Sequence, residues 1–402
     1  MRILILHRNK FDRLGYDRAI DHSVHHVVYA GTADYLDNIP PGIRCETFVL
    51  EPERPIVQQL RPWLRNQPLF DRILARHELH IIPAAELRAE FGLPGMRPDL
   101  ALKFRDKVVM KATVANQGIR VPRYFPANLL PREAPWPGKV IVKPRDANAS
   151  QGVHLCDDYS AAYQLVAARQ RDDATFAGRY EVEEYLDGPI WCIDGFLFRG
   201  EPVAIQASRY INTPLGFEHG IPHGSVQYPN PKLESWTVRC LRALGAQTLT
   251  FHLESIMTAE GPAFLEVAAR CGGGYIVGMF HRRTGVHLHT VDMATDINGD
   301  LAIHLFEEPS PTTFYGDFLY PGHNYGGAPI TVPVPPEVLG DSRLITYKIF
   351  PPNTPTPTNA NYRPENLAFS GIVSGPDPAS VEEWIQSLLA TVTVYPRVAA
   401  NS

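Results

Sequence analysis

What this sequence lacks narrows it first. It holds only five cysteines (Cys45, Cys156, Cys192, Cys240 and Cys271), odd in number and widely spaced, with no CxxC and no Cys/His metal spacing. A disulfide framework is therefore not its organising device, and free thiols in a reducing compartment are expected. No block of Lys or Arg is present, and the net charge of −5 is spread along the chain. Nucleic acid and a charged membrane surface are thus not expected as partners. No run of 18 apolar residues occurs, so no transmembrane helix is expected. The apolar part of the opening MRILILHRNK is too short for a secretory segment and reads as a first strand, which together with the thiols points to the cytoplasm.

What is present is a globular composition with 37 prolines, in a chain of 402 residues. At roughly 100–200 residues per domain, several packed units are expected. Residues 1–100 alternate short apolar runs with helical stretches, with strands at Ile3–Leu6, His26–Tyr29 and Thr47–Leu50 and helix-like segments at Ile56–Leu64 and Leu69–Arg76. Such alternation predicts a small parallel α/β unit. A broad apolar stripe predicts one helix over Leu100–Gly118. Strands follow at Lys139–Pro144 and Tyr180–Leu186, then hairpins turning at Arg199-Gly-Glu-Pro202 and at Thr258–Pro262, a helix over Leu233–Ala246 and another over about 285–298. The expected division is 1–100, 101–185, 186–305 and a terminal α+β piece, 306–402.

Several residues carry potential chemistry. Lys107, in Arg105-Asp-Lys107, reads when taken alone as a solvated surface lysine. Lys143 ends an otherwise apolar strand, at a cleft or a wet strand end. The segment Pro144–Val153 (PRDANASQGV) is small and polar; its backbone N–H groups could fold over phosphates, although GxxxxGK[ST] is absent. Glu183-Glu-Tyr-Leu186 breaks at Gly188-Pro189, where a strand that stops pairing can offer N–H and C=O groups to an adenine. Glu254 and Glu266 fall on the two strands of one predicted hairpin. Two adjacent carboxylates repel unless a cation or proton lies between them. Mg²⁺ takes one or two carboxylates together with nucleotide phosphates. Arg270 follows at the exit of that strand, before Cys271-Gly-Gly-Gly274, so that Phe264–Gly274 reads FLEVAARCGGG. Glycines there let the backbone turn sharply or approach a ligand, and an arginine can fork onto phosphoryl or acyl oxygens. Asn212–Gln227 reads as a lid or substrate loop, with Arg209 before it and His219 and His223 within it. Tyr275–Phe280 reads equally as pocket lining or core.

The order of these motifs over about residues 100–295 resembles the ATP-grasp superfamily. The resemblance implies an N-terminal α/β domain with ATP clamped between two α+β subdomains. It implies that Lys107 and Lys143 meet ATP phosphates and that Ser150-Gln151-Gly152 is the mobile loop over the β- and γ-phosphates. Glu183 would lie near the adenine amino group, with Glu184 and Leu186 supplying backbone contacts. Glu254 and Glu266 would hold Mg²⁺ (or Mn²⁺ in its place), and Arg270 would lie over the transferred phosphate. Two departures stand out. Ala268 occupies a position where the superfamily often has a metal-binding Asn, and Ile190 occupies the place of the ribose-binding Glu of D-alanine–D-alanine ligases. No biotinylation site is present.

Within the superfamily, His252-Leu-Glu254 and the Arg270–Gly274 ending look more like carboxylate–amine ligases, including L-amino acid ligases. The resemblance then implies small-molecule carboxylate and amine substrates, amino acids among them, with Lys143, Arg209 and Arg270 assisting transfer and Gly273 and Gly274 beside the acceptor. It suggests a homodimer. An ATP-grasp enzyme with a thiol, hydroxyl or bicarbonate acceptor, and a nucleotide-binding scaffold without turnover, are the alternatives.

Overall fold

A computed structural model describes residues 1–397. The first sheet contains β1 (Arg2–Leu6), β2 (His26–Gly31), β3 (Glu46–Val49) and β4 (Arg72–Ala75), in the order β3-β2-β1-β4 with all neighbours parallel. Ile3–Leu6 and Val27–Ala30 are buried without alternation, as strands covered on both faces must be. Val57, Leu60 and Leu64 of the helix Ile56–Arg65 pack on one face, and Phe11, Tyr16, Met293 and Ile297 on the other. One expectation fails here. Leu69–Arg76 is not helix-like, because its Ile73-Leu-Ala75 core is the parallel partner of β1. A short apolar run carries no period that separates a buried strand from a helix.

The expected helix over Leu100–Gly118 is broken into two, Pro98–Lys103 and Lys107–Ala115. Asp106 interrupts it: its carboxylate accepts the N–H groups of Val108 and Val109 and so starts a second helix. That break places Lys107 on the first turn of a capped helix.

The second sheet, β5 (Tyr124–Pro126), β6 (Val140–Pro144), β7 (His154–Cys156) and β8 (Tyr180–Glu184), is antiparallel in the order β5-β8-β6-β7. The helix Tyr159–Asp172 closes its core through Tyr159, Ala162 and Val166.

The third sheet has eight strands. They are β9 (Ile190–Phe198), β10 (Glu201–Ile211), β11 (His223–Gln227), β12 (Leu249–Thr258), β13 (Gly261–Ala268), β14 (Phe314–Tyr320), and, beyond a short β15 (Ile330–Thr331) that pairs with β18 (Tyr395–Pro396), β16 (Leu344–Ile349) and β17 (Phe369–Gly375). Their order is β13-β12-β9-β10-β11-β14-β17-β16. Residues beyond 305 thus extend the sheet that carries Glu254 and Glu266. The proposed loop 212–227 is only partly a loop, since His223–Gln227 is a fully buried strand between β10 and β14. All five cysteines are free thiols.

Candidate active site

The second and third sheets face each other across a cleft of about 390 Å³, lined among others by Lys107, Lys143, Ser150, Gln151, Glu183, Leu186, Glu254 and Glu266. That size lies within the ~300–1,000 Å³ range of small-molecule sites. One part of the wall is apolar, with Ile141, Leu155, Ile190, Ile256 and Leu265.

Charge in the cleft is organised by strand and helix periods. Lys107 and Lys111 are one helical turn apart; Glu181 and Glu183 are two apart on β8 and so share a face. Lys111 Nζ, fully buried, meets Glu181 at 2.7 Å and Glu183 at 2.5 Å. Lys143 meets Glu183 at 2.5 Å and lies 3.8 Å from Glu181. Lys107 meets Glu266 at 3.1 Å and donates to the Ala147 carbonyl at 2.8 Å. Burial opposes charge on Lys143, but Glu183 and Glu181 outweigh it and hold the ammonium above its usual range. Burial likewise raises Glu183 and Glu266, yet Lys111 and Lys143 in one case, and Lys107 and Lys143 in the other, bring both below the ordinary carboxylate value. Three ammoniums and three carboxylates therefore neutralise one another, as buried charges must. Lys111 and Glu181 belong to no motif of their own in the sequence, although the paired spacings i, i+4 and i, i+2 with Lys107 and Glu183 are there.

Glu254 and Glu266 are direct partners across β12 and β13, with a bulge just after Glu254. Directly opposed residues of an antiparallel pair point to the same side. The Tyr210 hydroxyl donates to Glu254 at 2.9 Å. His252 lies between Asp194, at 2.9 Å, and Glu254, at 3.5 Å. Burial alone would lower the His252 imidazole, but these two carboxylates push it up to about 10. Ala268 pairs with His252 across the hairpin. No cluster of three or more His, Cys, Asp or Glu that could hold a metal occurs among the described residues. Two opposed carboxylates open to a cleft still fit Mg²⁺, which takes few protein ligands and shares the rest with phosphate and water.

The loop over the cleft is held in an uncommon backbone shape, with Ala149 and Ser150 at φ 53° and 56° and Gly152 at φ 71°. Gln151 reaches across to the Ala360 carbonyl at 3.3 Å. At the strand break, Glu184 is tied to Arg123 through its carboxylate and its own N–H. Leu186 lines the cleft, and its N–H has no backbone partner among the described residues.

Arg270 is fixed from below. Its guanidinium meets Glu78, just past β4, at 2.7 Å, and donates to the Cys271 carbonyl at 2.8 Å. Glu78 also binds Arg105 and is buried. Burial opposes the Arg270 charge, and Glu78 more than restores it. The glycines that follow are sterically required. A Cβ on Gly272 would lie 2.6–2.9 Å from Ile276, Asp194 and His252; one on Gly273, 3.0 Å from Tyr362; and one on Gly274, at φ 57°, 2.9 Å from Asp317. The Gly274 N–H donates to the Tyr362 carbonyl.

Two expected residues lie elsewhere than anticipated. Arg209 does not reach the cleft: Tyr210 faces Glu254, so its neighbour faces the opposite side, where Arg209 binds Glu382 and covers Tyr228. His223 is no loop residue; burial pushes its imidazole down to about 3, and its ring lies 4.6 Å from Tyr210. His219 remains exposed at the cleft rim.

With this geometry in view, the chain has the ATP-grasp fold. It superposes on an L-amino acid ligase from Bacillus licheniformis with TM-score 0.73 over 99% of both chains, at 18% identity. It superposes on phosphoribosylglycinamide synthetase from Anaerococcus prevotii with TM-score 0.66, over 98% of this chain and 99% of that one, at 13% identity. The N5-carboxyaminoimidazole ribonucleotide synthetase from Thermotoga maritima gives 0.61, over 98% and 99%, at 15% identity. Among curated proteins, dapdiamide A synthase of Enterobacter agglomerans is 29% identical over 151 residues, 35% of this chain and 34% of that protein. The uncharacterized protein y4rH of Sinorhizobium fredii is 25% identical over 202 residues, 46% of this chain and 40% of that one. The chain thus matches less than half the length of either relative. No family model matches it. Among the described residues, no helix is long and apolar enough to cross a membrane.

Proposed function

We propose that this chain is an ATP-dependent carboxylate–amine ligase. The carrying observation is the convergence of Lys107, Lys143, Glu254 and Glu266 on one cleft, next to Arg270 held on Glu78. ATP lies between units 101–185 and 186–305, with its base in the apolar part of the wall and the Leu186 N–H and the Glu183-Glu184 strand end at its edge. Lys107, Lys143 and the Ser150-Gln151-Gly152 loop take the phosphates. Glu254 and Glu266 would hold Mg²⁺, which would supply positive charge against the phosphates.

A carboxylate oxygen attacks the γ-phosphorus and the bond to ADP breaks, giving an acylphosphate. An amine nitrogen then attacks the acyl carbon, loses a proton, and phosphate leaves. Such transfer asks the protein chiefly for positioning and charge neutralisation. Arg270, kept charged by Glu78, stands ready for the oxygens of both steps. The Gly272–Gly274 turn, with Tyr362 against it, forms the floor of the acceptor side. The substrates are amino acids or close derivatives, and the enzyme works in the cytoplasm. The fold of an L-amino acid ligase and the partial match to dapdiamide A synthase favour this acceptor class.

Phosphate release from Mg-ATP, measured with amino acids singly and in pairs, is the test. Release that requires a donor and an amine together supports the ligase. Tight ATP binding without release for any combination would leave a nucleotide-binding scaffold instead.

A further inference from the structure

The parallel sheet changes direction at β1: β2 and β3 extend it on one side and β4 on the other. In open α/β sheets, the crevice outside the carboxyl ends of the strands at such a point is where ligands bind. Here β1 runs out into His7-Arg8 and β4 into Arg76-His77-Glu78. Arg8 and Arg363 both lie on the ring of Tyr35, at 5.8 Å and 5.5 Å from its centroid, and Arg363 donates to its hydroxyl at 3.0 Å. Arg13 donates to the Gly274 carbonyl at 3.4 Å, which ties the crevice to the glycine turn.

Among the described residues, none of Arg8, Arg13 and Arg363 has a carboxylate within 4.0 Å. The two nearby carboxylates are engaged: Glu365 with Lys10 at 3.2 Å, and Glu78 with Arg270 and Arg105. The crowding is also felt by neighbours. Burial holds Arg13 below its usual range, and Arg363 and Arg270 lower it further against the pull of Glu365. His77 is pushed down to about 2, first by burial and then by His80, Arg8, Arg270 and Arg363. Its Nδ1 accepts the Leu79 N–H at 3.2 Å, so the neutral ring keeps its proton on Nε2. All three arginines are partly buried, and each keeps some exposed surface. A guanidinium stays charged at any working pH, and its fork matches carboxylate and phosphate oxygens.

The geometry points to a pocket for a second anionic group on the carboxylate donor, a carboxylate or a phosphate remote from the reacting end, gripped by Arg8, Arg13 and Arg363. Arg270, held on Glu78, stands four residues after Glu266 and four before the Gly274 whose carbonyl Arg13 binds, so the donor spans the crevice with its reacting end toward ATP. The inference rests on the ligase reading for its reacting end, and on the arginines alone for its remote end.

The test compares chain-matched donors with hydroxylamine as the amine: glutarate against valerate, and O-phosphoserine against serine. The dianionic member of at least one pair is expected to exceed its partner about thirtyfold or more in kcat/KM. Arg8→Gln, Arg13→Gln and Arg363→Gln should each raise the KM for that donor about tenfold, a loss of ~1.4 kcal/mol each, with kcat little changed. Whichever pair responds identifies the anion as carboxylate or phosphate. Equal kcat/KM for both members of both pairs, or an unchanged KM in all three variants, overturns the pocket. Calorimetric titration of MgADP-loaded protein with glutarate and with inorganic phosphate separates the two readings. Anion binding lost in the variants, without turnover of any donor, keeps the pocket and sinks the ligase. Turnover of the monoanionic donors with no anion binding does the reverse. If a Gln variant does not fold, Arg→Lys at the same position keeps the charge and loses the fork, and the same rise in KM is expected.

Discussion

The lysine–glutamate network in the cleft and the arginine crevice beside β1 and β4 are both dense in charge, but they are solved differently. In the network, Lys107, Lys111 and Lys143 each have a glutamate within 3.1 Å. In the crevice, Arg8, Arg13 and Arg363 have none within 4.0 Å among the described residues. The difference follows from burial. Lys111 and Glu181 are wholly sequestered from water and cannot remain charged without each other. The arginines keep part of their surface in water and can wait for a ligand. Arg270 belongs to both regions, held by Glu78 from the crevice side and four residues after Glu266, whose charge it feels.

The sharpest way to break this contrast is to remove Lys111. Lys111→Met should cost ~3–5 kcal/mol of stability, because it strands Glu181 and Glu183 in the interior. A urea midpoint near that of the parent protein would show that the network is not self-neutralising. Next in size, Arg270→Ala should retain the fold and lower turnover at least about a hundredfold, in line with the ~3–4 kcal/mol typical of one oxyanion donor. Near-normal turnover would remove Arg270 from the site. Glu266→Gln should impair Mg-ATP use about tenfold or more while changing apo stability less, since Lys107 keeps the Ala147 carbonyl. Equal ATPase and ligase rates would sink the metal assignment.

Acid should separate the two regions more gently. His77 has a folded value of about 2, far below its ordinary 6.5, so its contribution is complete above 6.5 and is lost as pH falls below it. Glu183 and Glu266 are also depressed, from 4.5, so theirs is lost only below that value. Between pH 6.5 and 4.5 His77 contributes a slope of up to about 1.4 kcal/mol per pH unit, opposed below about 6 by Asp317, whose carboxyl burial raises to about 6. His77→Asn keeps an acceptor for the Leu79 N–H and should flatten that slope, as followed by denaturant midpoints. An unchanged slope would place the acid sensitivity elsewhere.

Much of this was legible in the chain. The hairpin register of Glu254 and Glu266 follows from two apolar runs around a Gly-Pro turn, and Lys143 from an apolar run that ends in a charge. Asp106 was legible in principle as a cap, yet the apolar stripe ran straight across it. Leu69–Arg76 was not legible, because burial on both faces erases the alternation that marks a strand.

By itself the sequence determined the residue types of the cleft and the hairpins that carry them, since these depend on local period and turns. Only the tertiary structure decided which charge meets which. It brought Glu78 to Arg270 across 192 positions, sent Arg209 to the far face of its sheet, and left Arg8, Arg13 and Arg363 without an ion-paired acid among the described residues. Pairing between distant segments is set by sheet order and by which faces are buried, and neither is written in the spacing of neighbouring residues.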